Sequence, residues 1–303
     1  MEAVGVSGDV SPAAWISPQL GGDFGAVGRT VPRGYAAYAR ICHPATDPEG
    51  RPVSWSEVAA ATGRQAHRLM QWHALVGSRD PLNLVGSLWR GSNPELGNLD
   101  PEVLVAMCGL LGDHTATAAD CFFCLWDGHG WIEGEPTEVR SSTVKPARGR
   151  EEQRAPAFST EELRRPRVEL PHRRYLLLTG PLPAAAQLVW PPFRQSPNLF
   201  WPADRAWCTA TELDFDSTVV GGSTGLIDEI LQAPALDAWP MDADDSLAAD
   251  ADQINTPNGS TLRVRLRASR MVGTIKVPRR RLLPARRVPI IVVFPLAVVG
   301  SSG

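Results

Sequence analysis

The amino-acid sequence predicts an α+β protein: a helical N-terminal lobe, then a mixed or antiparallel sheet lobe with a C-terminal helix. Helix start and stop signals cluster before residue 115, whereas β-type alternation begins only at Cys121. A late turn, Gly221-Gly222-Ser223, opens one further helical stretch, read through about Gln232.

The helical signals come first. Ser54-Trp55-Ser56-Glu57 has the form of a capping box, in which the serine hydroxyl accepts from the third helical N–H and the glutamate reaches back. The helix it opens runs through Ala61 to Gly63, a residue that tolerates a left-handed C-cap. A second helix is expected over residues 65–76, where Ala66, Leu69, Trp72 and Val76 share a stripe. Asp100 followed by Pro101 marks a third helix start. Its expected buried face is Val103, Met107, Leu110 and Leu111.

Strand signals follow. Over Cys121–Trp126, period two puts Cys121, Phe123 and Leu125 on one face and Phe122, Cys124 and Trp126 on the other. The C-x-x-C at 121–124 is thereby split between two faces, so it reads as structural cysteine rather than a metal-ligand pair. The turn-like Asp127-Gly128-His129-Gly130 then suggests a hairpin to Trp131 and Ile132. Tyr175–Thr179 and Ala206–Phe215 are read as further strands. The predicted organisation is a single domain over 31–262, with a helical lobe (31–115) and a sheet lobe (116–262). A polar, linker-like insertion spans 140–172, with one turn of helix after Ser159. Residues 1–30, rich in Gly, Ser and Pro, are expected to be a disordered segment. Residues 263–303 are a basic Pro/Arg-rich tail expected to lie outside the fold.

Charge supports that division. Residues 1–262 carry 33 acidic and 20 basic side chains; residues 263–303 carry 10 basic and none acidic. An acidic body argues against a nucleic-acid footprint, which needs clustered basic surface. Five cysteines in 303 residues do not form a secreted disulfide framework. No basic-then-apolar leader opens the chain, and the longest apolar run, Val288 to Val299, is broken by two prolines and falls short of the about 20 residues a membrane span needs. The expected setting is cytoplasmic, with no membrane partner.

Three constellations could carry chemistry. Glu212, Asp214 and Asp216, if on one strand, share a face and supply oxygen ligands suited to Mg²⁺ or Mn²⁺; the plainer expectation is ion pairing with Arg173, Arg174 or Arg205 and no cofactor. Gly221, Gly222 and Ser223 could present backbone N–H groups to an anion, or simply turn strand into helix. Trp190, Phe193, Phe200, Trp201 and Arg205 lie in an aromatic, proline-rich stretch that could bind a partner if exposed. Residues 54–76 have helix-turn-helix spacing, but Arg64 falls where an apolar turn residue is usual, and nucleic acid is not the expected partner. No Walker loop, G-x-G-x-x-G, G-x-S-x-G or paired metal-binding histidines occur.

Residues 196–223, Ser-Pro-Asn-Leu-Phe-Trp-Pro-Ala-Asp-Arg-Ala-Trp-Cys-Thr-Ala-Thr-Glu-Leu-Asp-Phe-Asp-Ser-Thr-Val-Val-Gly-Gly-Ser, resemble a family of hypothetical actinobacterial proteins. So do the stretch from Tyr35 to Pro44 and Val53-Ser-Trp-Ser-Glu-Val-Ala. The resemblance covers about residues 33–255. It implies a bacterial cytoplasmic origin and transfers no catalytic residues. The missing catalytic motifs and the aromatic, proline-rich stretch lead to the function expected: a non-catalytic binding or interaction protein, with a protein or small-molecule partner, that uses the 190–207 loop and the adjacent acidic strand face. The alternatives are a metal-dependent hydrolase or phosphate-handling enzyme built on the carboxylates, and a helix-turn-helix regulator.

Overall fold

The computed structural model describes residues 4–80, 84–132, 157–171, 173–190 and 193–255. Its first strands are β1 (Gly5–Val6), β2 (Ala37–Cys42), β3 (Ala45–Thr46) and β4 (Pro52–Val53). Then come β5 (Cys121–Trp126), β6 (Val168–Leu170), β7 (Arg173–Gly180), β8 (Val189–Trp190) and β9 (Phe193–Arg194). The last are β10 (Leu199–Pro202), β11 (Cys208–Ala210), β12 (Ser217–Gly222) and β13 (Ala238–Met241). Helices are α1 (Val27–Thr30), α2 (Trp55–Thr62), α3 (Trp72–Leu75), α4 (Pro101–Asp113), α5 (Thr160–Leu163) and α6 (Thr224–Gln232). Among the described residues no helix is long and apolar enough to cross a membrane.

One antiparallel sheet dominates. Its order is β1-β7-β5-β10-β11-β12-β2-β13, with β6 also paired to β7. This overturns the expected helical N-terminal lobe: β2, from the first third of the chain, lies between β12 and β13 in the same sheet as the late strands. Its residues 38–42 are all buried, so hydrophobic alternation, the sign of a half-exposed strand, is missing there. Strands β10, β11 and β12 are likewise buried along their length.

The sheet is covered on both faces. On one side α4, α6 and the 3-10 turn Leu182–Gln187 pack over Ile41, Phe123, Leu125, Leu176 and Phe200. On the other, the N-terminal segment lays Ile16, Val27 and Val31 over Leu177, Trp201 and Val219. A third cluster joins α2 and α3 around Trp55 and Trp72, whose rings lie 5.4 Å apart. The tryptophans anchor as amphipathic side chains should: buried indole N–H groups of Trp55 and Trp207 donate to the carbonyls of His43 and Leu111, both at 2.9 Å.

Several local expectations hold. Ser54 and Ser159 both form complete capping boxes, and Gly63 takes a left-handed C-cap (φ 67°). Strand β5 places Cys121, Phe123 and Leu125 in one core, and Cys124 against the other with Phe122 and Trp126. In α4 the fully buried stripe is Leu104, Met107, Cys108 and Leu111; Val103 and Leu110 are only half-buried.

Others do not. The helix expected over 65–76 shrinks to α3, because tertiary partners take the backbone groups a helix would use. Asn255 accepts from the Gln65 N–H and donates to the Gln65 carbonyl, both at 2.9 Å, and Asp252 accepts from the Gln71 N–H. No hairpin follows β5: a 3-10 turn, Gly130–Ile132, does, and β5 pairs with β7 and β10 instead. The strand expected over Ala206–Phe215 is only β11, followed by a turn at residues 211–216 that leads into β12. Within the expected insertion, residues 157–171 carry α5 and β6; residues 140–156 and the tail at 263–303 lie outside the described residues. The expected disorder over 1–30 is corrected by residues 4–30, which carry β1, two 3-10 turns and α1, with Ile16 and Val27 wholly buried.

Candidate functional site

The N-terminal segment is stitched down by backbone bonds. The N–H groups of Val27 and Gly28 donate to the carbonyls of Asp245 and Ala243 at 2.9 and 2.8 Å, and the Leu247 N–H donates to the Gly25 carbonyl at 2.8 Å. Arg33 adds an ion pair to Asp244 at 2.6 Å. Gly25 has φ +85°, and a Cβ there would sit 2.8 Å from the Ala248 Cβ, so glycine is required at this close approach.

Between this strap and the sheet lies a cleft of about 200 Å³. Leu20, Phe24, Arg29 and Thr30 line it from the strap; Arg173, Tyr175, Leu199, Ala210, Glu212 and Phe215 line it from the sheet side. Asn198 braces the sheet side, accepting from the Trp126 N–H at 2.9 Å and donating to the Thr211 carbonyl at 3.4 Å. Phe24 at the strap is 65% exposed, an unusual position for a large aromatic side chain.

The two arginines of the cleft differ in their partners. Arg173 is satisfied: it donates from Nε and Nη2 to Glu212 Oε1 (3.2 and 2.9 Å) and from Nη2 to Asp214 Oδ2 (3.0 Å), and its guanidinium lies 5.6 Å from the Trp126 ring centre. Arg29 makes one 3.3 Å bond to the Gly22 carbonyl and, among the described residues, meets no carboxylate. Tyr175 lines the cleft with a side chain only 7% exposed, and its hydroxyl is not among the buried polar atoms left without a partner. Burial first, then the Glu212 carboxylate, push that phenol up, so it stays protonated and able to donate.

The carboxylates expected to converge are separated. Glu212 and Asp214 share Arg173, whereas Asp216 turns inward to Arg40 at 3.5 Å. A strand would have put all three on one face; the turn at 211–216 breaks the period. No group of three His, Cys, Asp or Glu able to hold a metal ion exists among the described residues. Burial raises the Asp216 carboxyl, and Arg40 opposes that shift. Of the three, Glu212 lines the cleft.

Gly221 and Gly222 lie inside β12, where a Cβ would press on the Tyr35 and Tyr38 rings or on Leu226. Ser223 is the N-cap of α6, its hydroxyl accepting from the Leu226 N–H at 3.2 Å. In the structure the two glycines serve packing and Ser223 serves capping. Phe200 and Trp201 are each 1% exposed, because β10 is sandwiched between β5 and β11. Trp201 stacks on Phe122 at 5.6 Å, and Phe200 meets Trp207 edge-on. Arg205 stays exposed, held over the Trp15 ring at 5.2 Å. Trp190 and Phe193 pair across the β8–β9 hairpin; their side chains lie outside the described residues. In the stretch 54–76 with helix-turn-helix spacing, the second helix is only the single turn α3, and its Trp72 and Leu75 are buried.

Sequence reasoning missed Arg29 and Tyr175 as site residues. Arg29 falls in the stretch assigned to disorder, and Tyr175 reads as an ordinary strand aromatic. Compared with known proteins, the chain matches no family model, no curated protein and no solved structure.

Proposed function

We propose that the chain is a non-catalytic binding protein that takes a small-molecule ligand in the cleft beneath its N-terminal strap. The observation that carries this reading is the cleft lining: Leu20 and Phe24 of the strap and Leu199 and Phe215 of the sheet side border one space of about 200 Å³ together with the Arg29 guanidinium, which meets no carboxylate among the described residues, and the Tyr175 phenol. Concave, mainly apolar lining with a few polar groups is the usual form of a small-molecule site.

The lining favours binding over chemistry. It offers two guanidiniums, one carboxylate and one phenol, and Glu212 is already held by Arg173. Thr30, the lining hydroxyl nearest a nucleophile in type, donates to the Ala26 carbonyl at 3.4 Å. No nucleophile and base are paired there in the manner acyl or phosphoryl transfer requires. Five buried free thiols suit a reducing, cytoplasmic setting.

The test is a ligand-observed NMR screen of small aromatic acids, bases and neutral fragments against the full chain. Ala210→Phe fills the sheet side of the cleft, and Phe24→Ala changes the strap side without touching the core. At least one fragment class should bind and weaken several-fold in both variants, while Val105→Ser on exposed α4 surface changes nothing. If no fragment binds, or binding is indifferent to both cleft variants, the reading falls.

A further inference from the structure

Charge in the cleft points to the class of ligand. Arg173 is matched by Glu212 and also by Asp214, which is 72% exposed beyond it. Arg29 has no such match among the described residues, although it lines the same cleft. The lining thus presents one uncompensated positive charge and one protonated phenol that can donate. Around them lie Leu20, Phe24, Leu199 and Phe215. Groups that can only donate, or that stay protonated, select an acceptor-rich anion; guanidinium and carboxylate match in planarity and in their two parallel hydrogen bonds. A volume of about 200 Å³ leaves room for one small ring with a short side chain.

We propose that the cleft binds small carboxylates with an apolar, ring-sized body, the carboxylate meeting Arg29 and Tyr175 and the body lying against Phe24 and Phe215. This rests on the cleft being the binding site. A doubly charged phosphate monoester is disfavoured, since one unmatched guanidinium leaves the second charge facing Glu212. An ammonium is disfavoured more strongly, because Glu212 is occupied and Arg29 repels it.

The experiment is titration calorimetry of the full chain at pH 7.5 with three probes of one shape: phenylacetate, 2-phenylacetamide and 2-phenylethylammonium. Phenylacetate is expected to bind at least 10-fold more tightly than the other two. Arg29→Gln should bring it down to the level of the amide, and Tyr175→Phe should weaken it several-fold, with circular dichroism and melting temperature of Arg29→Gln unchanged. Equal or tighter binding of the amide or the ammonium, still lost in Phe24→Ala, overturns the carboxylate assignment and leaves the cleft standing. Absence of binding by all three probes, with neutral fragments still displaced by Ala210→Phe, also overturns it. If nothing binds in a cleft-dependent way, both this inference and the cleft reading fail.

Discussion

The Nη1 of Arg40 donates to the carbonyl oxygen of Met70 across 2.7 Å. It is the tighter of the two bonds that tie β2, next to the edge strand β13, to the segment before α3. Arg40 is wholly buried, bonds the Arg68 carbonyl at 3.4 Å, pairs with Asp216 at 3.5 Å and lies 4.9 Å from the Trp55 ring centre. A guanidinium without solvent is tolerated because carbonyls and a carboxylate replace water at its two Nη groups and an aromatic face lies against it, while its Nε has no partner among the described residues.

Arg40→Met should therefore destabilise the protein by roughly 3–5 kcal/mol, since it strands a buried carboxylate and two carbonyls. Adding Asp216→Leu should recover part of the loss. Urea unfolding of both variants checks this; a loss below about 1 kcal/mol for the single variant would show the pair to be dispensable.

Stability should fall as pH drops from about 6.5 toward 4. The His43 ring is 1% exposed, with Nδ1 2.6 Å from the Glu95 carbonyl and Nε2 3.0 Å from the Thr218 hydroxyl. A carbonyl only accepts, so Nδ1 carries the proton and Nε2 accepts from Thr218. Burial first pushes this imidazole down to about 4, and His129, lying between Trp126 and Trp131, is pushed down similarly by burial. The unfolded chain thus binds protons that the native state refuses, and His43 accounts for up to about 3 kcal/mol across the window. Asp216 and Asp237, raised by burial, act in the opposite sense, so the slope is best read above pH 5. Thermal unfolding of His43→Gln against pH should show a shallower slope; an unchanged slope would remove His43 as its source.

The end of the described body acts as a latch. Asp252, wholly buried, accepts from the Asn255 and Ile254 N–H groups at 2.8 and 3.0 Å, the Gln71 N–H at 3.2 Å and the Asn255 amide at 3.0 Å, and pairs with His67 at 3.0 Å. Burial alone would raise this carboxyl, but those donors hold it below its usual range. A chain ending at Ala251 should unfold more readily than one ending at Asn258 by several kcal/mol, with protease cutting near residues 64–71 as the local sign. Equal melting temperatures for the two would show the latch to be idle.

All five cysteines are free and buried. Burial pushes the Cys108 and Cys121 thiols up to about 12, so at neutral pH the reactive thiolate is nearly absent. Ellman's reagent should therefore modify none of them in the native protein within minutes, and all five in guanidinium. A fast-reacting thiol under native conditions would contradict the buried placement of that residue.

What the sequence determined alone was whatever rests on neighbours within a few residues. The Ser54 and Ser159 capping boxes, the Asp100 and Ser223 N-caps and the Gly63 C-cap each close a loop of three or four residues. The two-faced alternation of β5 needs only period two. The tertiary structure decided the rest, because the partners lie far apart in the chain. Strand β2 shows no alternation since both its faces are covered, and the backbone of 65–71 is held by Asp252 and Asn255, more than 180 residues away. The cleft belongs to that second class. Arg29 and Tyr175 are brought to one lining only by folding, and an unmatched charge can be recognised only after every partner within reach has been placed.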